Sequence, residues 1–299
     1  MTSLELILQQ LINALSLGSV YALTAIGLAM VFGILRLINF AHGDLMMVGA
    51  YAALGLSMLG LPFWMVVLLT MALIALAGML MERIAYRPVR GAPDVAMLLT
   101  SFAITIFLEN SALLLVSPRS RAFPVPQALQ EPWRPFGALQ VARLDLATIG
   151  VTAILLLLLT LFVTRTMLGI SMRAAATDLV GAQIVGVNLN RVIVTAFAIG
   201  SALAGIAGII WAARAGKIDP LMGFNPVLRA FVASVIGGFG SIPGAVLGGY
   251  VLGMLEIMLQ AFLPSSLSSY RDAFVFLILI LVLLVRPNGL LGSTAPEKV

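Results

Sequence analysis

Long apolar runs separated by short polar stretches set the plan of this chain. Leu11 to Leu35 and Met46 to Leu61 flank Ile38-Asn39-Phe40-Ala41-His42-Gly43-Asp44-Leu45, which carries the only histidine, an acid and a glycine. Residues 4–35 are apolar apart from Glu5, Gln9-Gln10, Asn13 and small residues; as one helix they would rise roughly 48 Å at 1.5 Å per residue. A hydrocarbon core is about 30 Å thick, so this segment is expected either as a surface-lying turn plus one span or as two short spans. Met46–Leu59, Pro62–Met81, Val95–Val116, Leu144–Thr164, Val192–Ala213, Ala245–Leu263 and Ala273–Val285 read as further crossings. Arg229 to Ile236 gives only about two turns before Gly237-Gly238-Phe239-Gly240-Ser241-Ile242-Pro243-Gly244, the pattern of a half-helix that enters the membrane and breaks there. The alternation of a barrel strand is absent. The expected fold is therefore all-α: about eight transmembrane helices plus one re-entrant or short broken segment, in a single transmembrane domain over residues 1–299.

The polar stretches read as connections. Leu59-Gly60-Leu61-Pro62 is a tight turn, and Glu82 to Asp94 a charged loop whose Pro88 and Pro93 disfavour helix. Residues 117–143, with five prolines, read as an ordered extramembrane loop, and Arg165–Arg191 as a polar segment too short to cross.

Composition agrees: over 299 residues the chain is 61% hydrophobic and 10% charged, with a mean hydropathy of +1.12, against about a quarter charged in soluble domains. There is no basic residue before Arg36 to make the n-region of a signal peptide, so the first apolar segment is expected in the mature protein. The absence of cysteine excludes disulfides and thiolate chemistry. A net charge of +5 does not make a nucleic-acid surface, because the basic residues are scattered singly at helix ends; the membrane lipid is the expected neighbour. The same residues leave orientation open. Arg36, Arg83, Arg87, Arg90, Arg165, Arg173, Arg191 and Arg271 fall on one side of the eight-span reading, and the other nine of 17 on the opposite side.

No phosphate-binding G-x-x-x-x-G-K-[ST] occurs, since Gly216-Lys217 lacks both the leading glycine and the hydroxyl. One histidine and no cysteine leave no metal site of those ligands and no catalytic triad, so neither enzyme activity nor a metal or cofactor is expected. Uphill work would then draw on an ion gradient or on another chain. Asp44, Glu109 and Glu256 lie inside apolar runs, where a charge costs about 2.5 to 3.5 kcal/mol at the bilayer centre, and each needs a reason. Polar side chains within a helix break tend to line a path, so Asn39, His42, Gly43 and Asp44, with Glu109 and with Gly237, Gly238 and Gly240, are candidates for a translocation pathway. A surface loop for the first group, and helix packing or headgroup contact for the acids, are the plainer readings. From Gly169 to Asn188 the chain is helix-compatible; Ala174, Asp178, Gly181 and Ala182 recur at helical spacing and Gly186 ends the run. That smooth face either docks on a partner or is a surface connector.

Four blocks give the pattern a family. They are Ile38-Asn39-Phe40-Ala41-His42-Gly43-Asp44 with Gly49-Ala50-Tyr51; Glu82-Arg83-Ile84-Ala85-Tyr86-Arg87-Pro88 with Arg90-Gly91; Arg173-Ala174 through Asp178, Ala182, Gly186-Val187-Asn188 and Arg191-Val192-Ile193; and Arg229-Ala230-Phe231 through Gly237 to Ala245, closed by Arg286-Pro287-Asn288-Gly289. In these the chain resembles the LivH-like permease subunits of branched-chain amino-acid ABC importers. The resemblance implies a multi-pass protein of a bacterial inner membrane that imports branched-chain, or other hydrophobic or small, amino acids. It implies as partners a second related permease, two cytoplasmic ATPase subunits and a periplasmic binding protein. It implies that residues 165–191 are cytoplasmic, with Arg173, Ala174, Asp178, Ala182 and Gly186 in the helix that seats in the ATPase, and that 117–143 is periplasmic. Family members often carry Glu at Asp44, Lys at Arg229 and Gly at Val227, and Glu109-Asn110-Ser111 departs from an expected Gln-Asn pattern. Relatives of this subunit type move urea, amides or aromatic acids, which stay as alternatives; an ion-coupled secondary transporter using Asp44 or Glu109, and a membrane scaffold, are the readings from other classes.

Overall fold

No proline interrupts the first apolar run, and it forms one helix, α1 (Ser3–Leu35), rather than a turn plus a span or two short spans. Its buried hydroxyls are satisfied without a break, Ser19 Oγ by Leu15 O and Thr24 Oγ1 by Val20 O of the same helix, and Ser16 Oγ by donating to Asp145 Oδ1 at 2.6 Å. At 33 residues it rises about 50 Å, and in its polar first turns Gln9 bonds Asn13 and accepts from the Gln140 amide. The computed structural model describes residues 3–133 and 140–292; the expected 117–143 loop thus falls partly outside the described residues.

The chain continues through α2 (Ala41–Ser57) and α3 (Phe63–Met81), joined by a turn with Gly60 at φ +72°. Beyond Met81 the expected charged loop is helix: a π-helical turn, Glu82–Tyr86, then a 3-10 turn, Arg87–Val89. Pro88 is accommodated there because it sits in the first turn of the 3-10 piece, where its missing N–H has no partner to lose. Glu82 is fully buried, against the solvated position a loop would give it. Next come α4 (Asp94–Leu115), β1 (Arg121–Ala122), α5 (Gln127–Gln130), β2 (Pro132–Trp133), β3 (Val141–Ala142) and α6 (Arg143–Arg165). The polar segment 165–191 forms α7 (Met167–Thr177) and α8 (Leu179–Ile184); then follow α9 (Leu189–Ala215), β4 (Lys217–Ile218), α10 (Phe224–Gly237), α11 (Ile242–Phe262) and α12 (Arg271–Val285), the last two joined by a 3-10 turn, Ser265–Tyr270. Among the described residues the strands make two short antiparallel pairs, β1 with β4 and β2 with β3.

Among the described residues seven helical segments are long and apolar enough to cross a membrane: Glu5–Leu35, Phe63–Val89, Val95–Leu115, Arg143–Arg165, Leu189–Ala215, Ile242–Phe262 and Ser265–Val285. α2, expected as a crossing, is shorter, and its 17 residues stand at the lower limit of length. The short broken helix is α10, which has 14 residues instead of two turns because it starts earlier, at Phe224, with Pro226 in its first turn.

Contacts divide the chain into two compact units. One holds the described parts of Met1–Ala29, Pro126–Ala153 and Arg229–Val299; the other holds Met30–Val125 and Ile154–Leu228. In the second unit α9 is the interior helix, packed on α2 and α3. Its small residues allow that approach: a Cβ on Gly208 would overlap the Met46 carbonyl, and one on Gly49 would meet Gly205. In the first unit α1 and α11 meet the same way, Gly249 against Ala22 and Gly253 against Gly18. By contrast α4 and α12 leave most of their apolar surface exposed, as helices facing lipid do.

Candidate translocation site

The break between α1 and α2 is made by residues 36–40, and its first residue, Arg36, has φ +56°, a conformation a non-glycine side chain rarely takes. Two side chains from other helices hold the break. Tyr86, fully buried in the π-helical turn, donates from its hydroxyl to Asn39 Oδ1 at 2.8 Å, and the Phe40 amide donates to Ser101 Oγ on α4 at 3.2 Å. The Phe40 ring stacks on Phe102, and the Tyr86 ring rests on Phe197 of α9.

Past the break, His42 and Asp44 are 2% exposed in the first turn of α2, and Gly43 between them lies against the backbone of Gly223. The next turns of α4 continue the polar face that Ser101 begins. Thr105 faces the Asp44 carboxyl, and half-buried Glu109 is close enough to act on it electrostatically. Ser101, Thr105 and Glu109 are four residues apart, so they form one stripe down the helix. Within this cluster the Asp44 carboxyl and the Thr105 hydroxyl have only each other as partners and, two turns along α2, Tyr51 Oη is buried without a hydrogen-bond partner. Buried polar atoms are nearly always fully paired, so groups this sparsely paired mark a place able to hydrogen-bond a polar solute.

Of the sequence-expected pathway residues, Asn39, His42, Gly43, Asp44 and Glu109 belong to this cluster in the second unit. Gly237, Gly238 and Gly240 belong to the first unit and do different local work. Gly238 (φ +109°) and Gly240 (φ +78°) form the turn after α10, and Gly238 abuts Gly289 and Gly292. The last carbonyls of α10 accept from the chain end, Ile236 O from the Leu290 amide at 2.8 Å and Gly237 O from the Leu291 amide at 2.9 Å. The glycine stretch thus lets the C-terminal turn cap a broken helix whose end would otherwise lack partners. Ser241 then caps α11, accepting from the Gly244 amide.

Glu256, buried on α11, is also bonded locally. It accepts from Tyr21 at 2.7 Å and from Arg229 Nε at 2.8 Å, while Arg229 reaches exposed Asp272 at 3.4 Å. Its place is a helix-packing network, the plainer of the two sequence readings.

The segment carrying Arg173, Ala174, Asp178, Ala182 and Gly186 is helical but not one helix. Asp178 closes α7 and caps α8, its carboxylate accepting from the Val180 amide at 3.0 Å. The continuous face from Ala174 to Ala182 is therefore bent at Asp178, because a side chain that bonds its own backbone competes with the helix. Arg173, Ala174 and Asp178 are exposed, Ala182 is buried, and Gly186 at φ +88° ends α8 as expected. Met167, Val180, Ile184 and Val185 present large apolar surface around it.

Sequence reading missed the partners of the break. Ser101 and Thr105 could have been found from their spacing with Glu109. Tyr86 could not, nor could the pairing of buried Glu82 with Arg90, which also donates to Asn190 of α9 at 2.7 Å. Burial pulls the Arg90 guanidinium below its ordinary value, and the Glu82 carboxylate opposes that shift. A cavity of about 560 Å³ lies beside Arg90, walled by Leu179, Gln183, Asn188 and Asn190.

Comparison with known proteins gives this arrangement a family. The profile described as branched-chain amino acid transport system, permease component, matches residues 10–283. The high-affinity branched-chain amino acid transport system permease protein BraD of Pseudomonas aeruginosa is 40% identical over 303 residues, 98% of each chain. LivH of Salmonella typhimurium, described in the same terms, is 40% identical over 98% of this chain and 97% of its own. LivM of Escherichia coli K12, a permease protein of the same kind of system, is 27% identical over 96% of this chain and 71% of its own. On a profile covering most of its length and relatives that match it end to end, the chain belongs to the branched-chain amino acid transport system permease family.

Proposed function

We propose that the chain is a permease subunit of an ATP-driven importer of branched-chain amino acids in a bacterial inner membrane. One observation carries the reading: the match to LivH and BraD runs through both chains almost completely, so the whole molecule, both units together, corresponds to a subunit that those names describe as a permease. The more distant likeness to LivM supports a second, related permease as its neighbour. With no nucleotide-binding motif in the sequence, ATP hydrolysis falls to two separate cytoplasmic subunits, and delivery of substrate to a periplasmic binding protein.

In this reading the Asn39–Asp44 break and the Ser101, Thr105, Glu109 stripe line the path in the second unit. Gly237, Gly238 and Gly240, in the first unit, keep the broken end of α10 in place. The bent pair α7 and α8, with Arg173, Ala174, Asp178, Ala182 and Gly186, meets the ATPase. The permease contributes short-lived polar contacts while the binding protein supplies selectivity.

Proteoliposomes containing the permease pair, with and without the ATPase subunits, test it by uptake of labelled leucine in the presence of binding protein and ATP. Uptake is expected only with the ATPases; uptake by this chain alone on a proton or sodium gradient would establish the secondary-transporter reading. Arg173→Glu or Asp178→Lys is expected to keep the protein folded and cut uptake per ATP hydrolysed. The ligand that raises the melting temperature of the cognate binding protein decides between branched-chain amino acids and urea, amides or aromatic acids.

A further inference from the structure

In the second unit, side-chain hydrogen bonds joined by short stretches of backbone lead from the 165–191 segment to the helix break. The route starts at α8, whose C-terminal end is tied to the next strand of chain by the Val187 amide on Ala182 O at 3.0 Å. Three residues on, Asn190 in the first turn of α9 accepts from Arg90 Nη1 at 2.7 Å. Arg90 Nη2 binds Glu82, whose side chain is fully buried and whose other oxygen, Oε2, has no hydrogen-bond partner. Glu82 opens the π-helical turn that Tyr86 closes, and Tyr86 holds Asn39 in the break at 2.8 Å.

Two features make this more than a chain of neighbours. A π turn holds one residue more than an α turn, and such insertions concentrate at functional sites. Closing it to an α turn turns the side chains on one side of it by about 100° relative to those on the other; here that would change the aim of Tyr86 relative to Glu82. The cavity of about 560 Å³ beside Arg90 gives α8 and the start of α9 room to shift without displacing packed side chains.

We propose that Asn190, Arg90, Glu82 and Tyr86 are positioning residues that transmit movement of the α7–α8 pair to the Asn39 break, with the π-helical turn as the element that switches. This rests on the importer reading above. Asn190 and Tyr86 are the ends of the link, and their hydrogen bonds lie far from each other in sequence. Removing either bond interrupts the same link, so the loss in coupling is expected once, not twice.

The test uses the complete importer in proteoliposomes, with binding protein and leucine, reading leucine imported and ATP hydrolysed together. Asn190→Ala and Tyr86→Phe are each expected to lower leucine imported per ATP by roughly two- to thirtyfold while ATP hydrolysis continues, and the double variant to lose no more than the worse single one. Asn190→Asp, which keeps an acceptor for Arg90, is expected to restore the wild-type ratio. A wild-type ratio in Asn190→Ala, or losses that multiply in the double variant, overturns the proposal while leaving the importer reading intact. Should Tyr86→Phe fail to assemble, exposed Asn190 decides alone through its Ala and Asp variants. A wild-type complex that imports nothing with ATP overturns the importer reading, and this inference with it.

Discussion

Single residues in this chain are constrained by what surrounds them more than by their own type. Gly43 and Gly55 sit in the same helix, yet a Cβ on Gly43 would overlap the Gly223 carbonyl and press on Val227, while one on Gly55 would meet nothing within 4 Å. Gly43→Ala is expected to cost about 1 to 3 kcal/mol through forced backbone shifts, and Gly55→Ala to be neutral or to gain up to about 1 kcal/mol from helix propensity. Thermal unfolding of the purified protein in detergent checks both. The Glu82–Arg90 pair behaves as buried charges do. Arg90→Ala strands the Glu82 carboxylate without its partner and is expected to lower stability by roughly 3 kcal/mol, the lower end for such pairs because Arg90 keeps some exposure. Adding Glu82→Gln to that variant is expected to recover part of the loss, which the same unfolding measurement reads; no recovery would mean the cost lies in lost Arg90 packing instead.

At the scale of elements, polar side chains decide where helices stop. Asp178 divides the 165–191 segment into two helices, and Asn188 and Ser241 cap α9 and α11 by accepting from the amides three residues on. In α8, only six residues long, the cap is a large share of the local stability. Asp178→Ala is expected to cost about 1 kcal/mol there, seen as hydrogen exchange about fivefold faster over residues 179–184, with Asp178→Asn close to the parent. Ser101, Thr105 and Glu109 show the converse: their four-residue spacing is legible in the sequence and lands on one face of α4, opposite the break. Tyr86 was not legible as a partner of Asn39. They lie 47 residues apart, and a tyrosine within a charged, proline-bearing run reads as a loop residue until the π-helical turn buries it.

For the whole molecule, the expected orientation can be checked with a tool the sequence provides, since it contains no cysteine. In intact cells with a permeabilised outer membrane, a membrane-impermeant maleimide is expected to label Ala128→Cys and to leave Thr177→Cys unlabelled until the inner membrane is opened. Both sites are exposed in the chain alone, so with the chain expressed without its partner subunits accessibility to the reagent differs only by side. Labelling of Thr177→Cys from outside would place α7 and α8 away from the ATPases and remove the importer's lever. The same orientation assigns the basic residues that a simple count left balanced, because the two sides hold eight and nine of them.

By itself the sequence determined that the chain is a helical membrane protein of about eight apolar helices and where the polar interruptions fall. Those properties follow from local composition: a run of about 20 apolar residues can only be a span, and glycine, proline and acids mark where one ends. Only the tertiary structure decided which interruptions form a site. It put Asn39, Asp44, Ser101 and Thr105 together, turned Gly237 and Gly238 into the seat of the C-terminal turn, and buried Glu82 against Arg90. These outcomes depend on contacts between residues tens to hundreds of positions apart, and in lipid, where nearly every outward residue is apolar, the pattern along the chain does not say which helix faces which.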